Sequence, residues 1–190
     1  MTQPDIHDHA SLISAFRRGH RPAYLFFWGH SAKAGAAVGK ECLSQWWPAR
    51  FSVDGQVFAS AEHFMMAGKA RLFGDEPALA RILAAPSPAA AKRLGREVRG
   101  FDEERWNAAC LALVTQGNIE KFRQNPDLAG YLLGTGRRVL VEASPVDRIW
   151  GIGLAADDPR AANPDQWRGP NLLGFALMAA REALREGAAH

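Results

Sequence analysis

The sequence predicts an α+β fold dominated by helices, with a small antiparallel β-sheet and a bundle of short helices in a single domain. Three observations carry this reading. Asp54-Gly55 stands between the alternating segments Arg50–Val53 and Gln56–Phe58, the strongest short-range hairpin signal. The second half of the chain is punctuated by helix-start signals at Ser87-Pro88, Asp102 and Pro126, where a capping oxygen or a pre-set proline φ opens a helix. Regular β–α alternation is missing, and Gly151-x-Gly153 does not continue into Gly-x-Gly-x-x-Gly, so a doubly wound dinucleotide fold has little support.

Taken in order, residues 1–9 form a polar arm, and Leu12, Ile13 and Phe16 mark one face of a short helix ended by Gly19. Residues 1–20 are thus an arm and short helix, and 21–187 the main domain. The aromatic run Tyr24–Trp28 favours a strand by residue type. A Gly/Ala/Lys stretch from Gly29 to Lys40 reads as a mobile loop, followed by the hairpin. Ser60 then caps a helix carrying Glu62, His63 and Lys69. The Ser87-Pro88 helix ends near Gly95, and the Asp102 helix presents Trp106, Cys110, Leu113 and Val114 at the 3–4 spacing of a buried stripe. A short helix from Pro126 closes at Gly134 and Gly136, and Arg138–Glu142 is a strand. Leu173, Ala176, Leu177, Ala180 and Leu184 give the last helix its apolar face.

Composition bounds the function. The chain has 190 residues, enough for one sizeable core, and a formal charge of only +3, far from the footprint of a dedicated duplex binder. Two cysteines, Cys42 and Cys110, make neither a disulfide framework nor a zinc site; they read as reduced thiols of a cytoplasmic protein. No segment approaches the roughly 20 apolar residues of a membrane helix, and no basic-then-apolar leader opens the chain.

Three clusters are candidates for chemistry. In the first, Glu62 and Lys69 lie seven residues apart, two helical turns, so both project from one face. Lining a pocket, they are an acid–base or nucleophilic pair; facing water, they are a first-turn acid and a solvated lysine. His63 has no Cys/His partner at metal spacing. The second cluster is Glu142 to Gly153, where Asp147 adds a carboxylate and Trp150-Gly151 an aromatic face beside exposed backbone. Its plainer reading is an Asx-turn at Asp147 and a tryptophan plugging the core. In the third, Pro170-Asn171 opens a helix whose amides suit an anion, with Asn171 either orienting a ligand or capping.

In this order, Ser60-x-Glu62-His63-Phe64 with Lys69, Trp106, Lys121-Phe122, Leu132-Leu133-x-Thr135-Gly136, Glu142, Asp147, Trp150-Gly151-x-Gly153, and Gly169-x-Asn171-x-Leu173-Gly174 with Met178 and Arg181 resemble the NADAR family, also called YbiA-like. The resemblance covers roughly residues 24–186. It implies a helix-rich α+β domain that hydrolyses N-glycosidic bonds to ribose. The substrate would be a phosphoribosylamino-pyrimidine of riboflavin biosynthesis or ADP-ribosylated guanine in nucleic acid. Where the family shows a Phe-Leu-Ser-Asn-Phe-like segment, this chain has Cys42-Leu43-Ser44-Gln45-Trp46, and the loop Leu154–Arg168 is longer than in compact members.

N-ribosyl cleavage builds oxocarbenium-like charge at C1′, which a carboxylate can stabilise while activating water. The resemblance makes Glu62 the leading carboxylate, Lys69 its partner (phosphate holder, pKa tuner or Schiff-base nucleophile) and Asp147 the second acid. Trp28, Trp46 or Trp150 stack the heterocycle. Ser44, His63, Gly151, Gly153 and Asn171 complete the substrate contacts. No metal, cofactor or obligatory protein partner is called for. The competing class is a module that binds ADP-ribose or a nucleotide without cleaving it.

Overall fold

The computed structural model describes residues 4–31 and 37–187. Residues 32–36, inside the expected loop, lie outside that description, as do residues 1–3 of the arm. The elements are α1 (His9–Arg17), β1 (Tyr24–Phe27), β2 (Phe51–Val53), β3 (Gln56–Phe58), α2 (Ala61–Leu72), α3 (Glu76–Leu83), α4 (Pro88–Arg96), α5 (Glu103–Arg123), α6 (Pro126–Gly134), β4 (Val139–Glu142) and α7 (Leu172–Gly187). The helix-dominated α+β expectation holds, and the antiparallel hairpin β2–β3 forms in the register Phe51–Phe58. Asp54 and Gly55 turn it with φ of 49° and 78°, the positive values that this turn type requires.

Local chemistry explains the helix starts. Asp8, Ser60, Asp75, Ser87 and Asp102 each accept a first-turn backbone N–H, satisfying donors that a helix otherwise leaves orphaned. The helix opened by Ser87-Pro88 ends at Arg96, next to Gly95 as expected, and Gly95 has a packing role besides. It lies inside α4, where an added Cβ would run into the Met66 side chain. It lets α4 cross tightly over α2.

A second sheet pairs the two strands read separately from the sequence. β1 and β4 run parallel, from Tyr24–Val139 to Phe27–Glu142. Parallel strands need a long crossover; here it is everything from residue 28 to residue 138. Gly174 of α7 lies against the Leu140 carbonyl and the Asn171 amide with no room for a side chain, so the last helix sits directly on β4. The main core gathers Phe27, Phe51, Phe58, Phe64, Phe122 and Leu177, among others. A smaller core joins Leu12 of α1 to Val139, Val141, Trp167 and Phe175. It also anchors the 154–168 loop. Trp167 stacks on His9 at 5.2 Å between ring centres and donates its indole N–H to the Ala161 carbonyl. Among the described residues, no helix is long and apolar enough to cross a membrane.

Candidate active site

Helix α2 is enclosed on nearly every side: eight of its twelve residues are buried, from Ala61 through Ala67 and Ala70. Such a helix has no solvated face for its first turn. Glu62 is 2% exposed, so the reading as a surface first-turn acid falls. Its backbone N–H bonds the Gln45 carbonyl at 3.0 Å, fixing it to the 42–47 segment. One carboxyl oxygen, Oε1, is buried with no hydrogen-bond partner. Burial pushes the Glu62 carboxyl up to about 7, against the pull of Lys92, the Trp46 indole and Arg96, while Asp147 pushes it further. Desolvation disfavours the charged form.

A second strained carboxyl faces it. Glu142, the last residue of β4, is raised to about 8, first by burial and then by Asp147 and Glu62, with Lys92 opposing. Its Oε2 is also buried and unpartnered. Two carboxyls with unmet oxygens, one ammonium between their fields and an anion beside both make a constellation suited to proton transfer.

Trp46 is positioned from α5. Lys121, fully buried, donates to the carbonyls of Cys42 at 2.7 Å and Ser44 at 2.8 Å, and Asn118 donates to Gln45 Oε1 at 3.0 Å. The Ser44 hydroxyl accepts the Trp46 N–H. The Trp46 ring lies 5.3 Å from His30 and 5.9 Å from the Lys92 ammonium. Trp28, 56% exposed, directly follows Phe27, the register partner of Glu142, at the end of β1.

The predicted residues divide. Glu62, Asp147 and Trp46 come together. Asp147 Oδ1 accepts the backbone N–H groups of Ile149 and Trp150 at 2.9 and 2.8 Å, with Gly151 at 3.5 Å. It therefore builds its own loop, the Asx-turn alternative, and its charge acts on both glutamates. Trp150 packs partly buried against the main core. Gly151 lies 2.7 Å, measured to an added Cβ, from the Glu142 carbonyl, and Gly153 needs its φ of 66°; both shape the loop. Asn171 is fully buried and commits its amide to β4. His63 has both ring nitrogens engaged, by Ser60 Oγ at 2.7 Å and the Ala85 carbonyl at 3.1 Å. Lys69 turns away: its ammonium lies 4.1 Å over the Phe101 ring and 5.6 Å from Trp106. Burial lowers its pKa, with Arg96 adding to the effect. The cations that act on Glu62 are Lys92 and Arg96 of α4. Sequence reasoning missed both; their i, i+4 spacing on a short helix was the available signal.

A helix-rich α+β domain that buries two carboxyls with raised pKa side by side defines the class. The chain belongs to the NADAR domain family, whose pattern it matches over residues 26–185. It is 45% identical over 164 residues to N-glycosidase R617 of Acanthamoeba polyphaga mimivirus, covering 84% of this chain and 95% of that protein. It is 34% identical over 146 residues to riboflavin biosynthesis protein VVA0006 of Vibrio vulnificus, 77% of this chain but only 36% of that one. N-glycosidase YbiA of Escherichia coli is 31% identical over 138 residues, 73% of this chain and 76% of that protein. The NMR structure of E. coli YbiA superposes with a TM-score of 0.71, at 25% identity and 90% coverage of both chains.

Proposed function

We propose that this chain is an N-glycosidase that hydrolyses an N-ribosyl bond, with Glu62 acting at the reacting centre. The observation that carries the reading is the Glu62 carboxyl itself: 2% exposed, one oxygen unpartnered, raised to about 7 beside Lys92 and Trp46. A structural carboxylate would be paired or solvated.

In the reaction, the C1′–N bond breaks and its electron pair leaves with the base nitrogen. The positive charge left on C1′ and the ring oxygen is met by the Glu62 carboxylate. Water then adds to C1′ and gives a proton to that carboxylate. Glu142, raised to about 8, holds its proton at neutral pH and supplies it to the departing nitrogen. Trp46, with Trp28 at the rim, stacks the heterocycle. Lys92 and Arg96 receive the phosphates of a ribosyl nucleotide. In this reading Lys92 takes the place first given to Lys69. Buried free thiols at Cys42 and Cys110 suit the reducing cytoplasm as its compartment.

The test is incubation with a phosphoribosylamino-pyrimidine and, separately, an ADP-ribosylated guanine oligonucleotide, with released base read by mass spectrometry. Glu62→Gln should lower release by about 10²–10⁴-fold, the usual worth of a positioned acid or base. Undiminished release in that variant overturns the assignment. Stable ADP-ribose binding with no base release from either substrate identifies a binding module instead.

A further inference from the structure

At the far end of the parallel strand pair lies a cleft of about 680 Å³. Its wall carries Arg21, Arg137, Arg138, Arg181 and Arg185, against only two carboxylates, Asp5 and Glu182. The excess of three positive charges equals that of the whole chain, so the formal imbalance of the molecule is concentrated here. Val139 lines this cleft and Glu142 the candidate active site. They are three positions apart on one strand, about 10 Å at the usual rise.

Four of the five arginines, all but Arg137, are held but not neutralised. Arg138 donates to the carbonyls of Thr135 and Gly134, and Arg21 to those of Phe16 and His20. Backbone carbonyls fix a guanidinium without cancelling its charge. Arg185 has the one close carboxylate, Glu182 at 2.6 Å, which is itself 57% exposed. Arg181 is the unusual member. It is 2% exposed and donates to Thr135 Oγ1 at 2.8 Å and the Arg138 carbonyl at 3.0 Å. Its Nε is buried with no hydrogen-bond partner, 3.8 Å from Glu182. Burial works against its charge, as do Arg185 and Arg138, with Glu182 opposing them. A guanidinium buried among other guanidiniums, with a donor unmet, is an arrangement that a bound anion relieves.

We infer that this cleft is a second ligand site, separate from the Glu62 site, that takes a phosphorylated ligand through its phosphate groups. Guanidinium forks match phosphate oxygens two at a time. The Val139, Phe175 and Met178 side of the cleft offers apolar surface to the body of the ligand, and the volume falls in the range of small-molecule sites. The phosphate comes either from a small phosphorylated molecule or from the backbone of a polynucleotide.

Calorimetry at about 0.15 M ionic strength, where charges more than about 8 Å apart are largely screened, separates these, using inorganic pyrophosphate and a single-stranded deoxynucleotide 12-mer as probes. Arg137→Glu is the leading variant, because its exposed side chain makes no hydrogen bond among the described residues; Arg21→Glu is the second. Each should weaken the pyrophosphate event at this cleft by about tenfold or more, as expected when a charge-assisted contact becomes repulsive, whereas Lys92→Glu should leave that arginine-dependent event within about twofold and remove only a separate event beside Glu62. A 12-mer weakened by the same arginine variants identifies a polynucleotide backbone; pyrophosphate binding without 12-mer binding identifies a small phosphorylated ligand. Loss in Lys92→Glu with none in the arginine variants overturns the inference, as does failure of the wild-type protein to bind either probe. Because the readout is binding, the outcome is independent of whether the protein cleaves a ribosyl bond.

Discussion

Asn171 and Glu142 are joined by a hydrogen bond in which the Glu142 backbone N–H donates to Asn171 Oδ1 at 2.9 Å, while Asn171 Nδ2 donates to the Leu140 carbonyl at 2.8 Å. Asn171 reaches this position at φ 58°, a left-handed conformation that asparagine tolerates better than most residues. The start of α7 thereby holds the end of β4, and with it the carboxyl that faces Glu62.

Replacing Asn171 by Ala should destabilise the protein by about 2–4 kcal/mol, the sum of two buried hydrogen-bonding groups left unmet and a left-handed residue with a Cβ. Asn171→Gly should recover about 1 kcal/mol of this, since glycine accepts the backbone but makes neither bond. Urea unfolding of the three proteins checks it; equal stability of Asn171→Ala and wild type would remove the amide from the fold's support.

Glu62 should cost the fold stability at neutral pH. Its folded value of about 7 lies above the ordinary 4.5, so the folded state binds a proton more tightly than the unfolded one. That preference stabilises the fold fully below about pH 4.5 and is lost as pH rises to about 7. Glu62→Gln, which cannot ionise, should therefore be more stable than wild type by about 1–3 kcal/mol at pH 8 and nearly equal to it at pH 4. Thermal melts at the two values test this. Lower stability of Glu62→Gln at pH 8 would mean that the carboxylate is well solvated.

Asp147 acts on the glutamates through its charge and on its loop through Oδ1. Asparagine keeps the Oδ1 acceptor for Ile149 and Trp150 but removes the anion. Both glutamates are raised in part by that anion, so Asp147→Asn should shift the pH profile of kcat/KM to lower pH with the loop intact. Asp147→Ala should lose the loop as well and lower activity at every pH. A profile unmoved in Asp147→Asn would restrict Asp147 to shaping the loop.

Much of the fold was legible because its signals are local. Ser60, Ser87 and Asp102 cap as their side chains dictate, and Asp54-Gly55 turns a hairpin between adjacent segments. The pairing of Tyr24–Phe27 with Val139–Glu142 was not, since no short-range pattern says which distant strand a given strand will meet. The site divides the same way. Glu62 was singled out from its helix position and is buried beside Lys92, but Lys69 shares its face without sharing its surroundings: seven residues at 1.5 Å each put them about 10 Å apart along the axis. The space beside Glu62 is filled instead by α4, which the glycine at position 95 admits. Lys92 and Arg96 arrive with it, and no motif in the sequence singled out either.

Lys121 is predicted to govern Trp46 without touching substrate. It is fully buried, its ammonium donating to the Cys42 and Ser44 carbonyls beside the Phe122 ring, and burial lowers it to about 7. A lysine depressed in this way gives the fold stability that is present above its ordinary 10.5 and is lost as pH falls toward 7. Lys121→Met fits the aliphatic path but orphans two carbonyls and frees the segment that carries Trp46. Relative to this variant, wild type should therefore gain stability between pH 6 and pH 10. In catalysis the variant should raise KM more than it lowers kcat, because the stacking ring is displaced while Glu62 and Glu142 stay on α2 and β4. Steady-state kinetics and melts at both pH values decide it. A kcat loss at constant KM would assign Lys121 to the chemical step, and kinetics equal to wild type would leave Trp46 positioned by Asn118 and Ser44 alone.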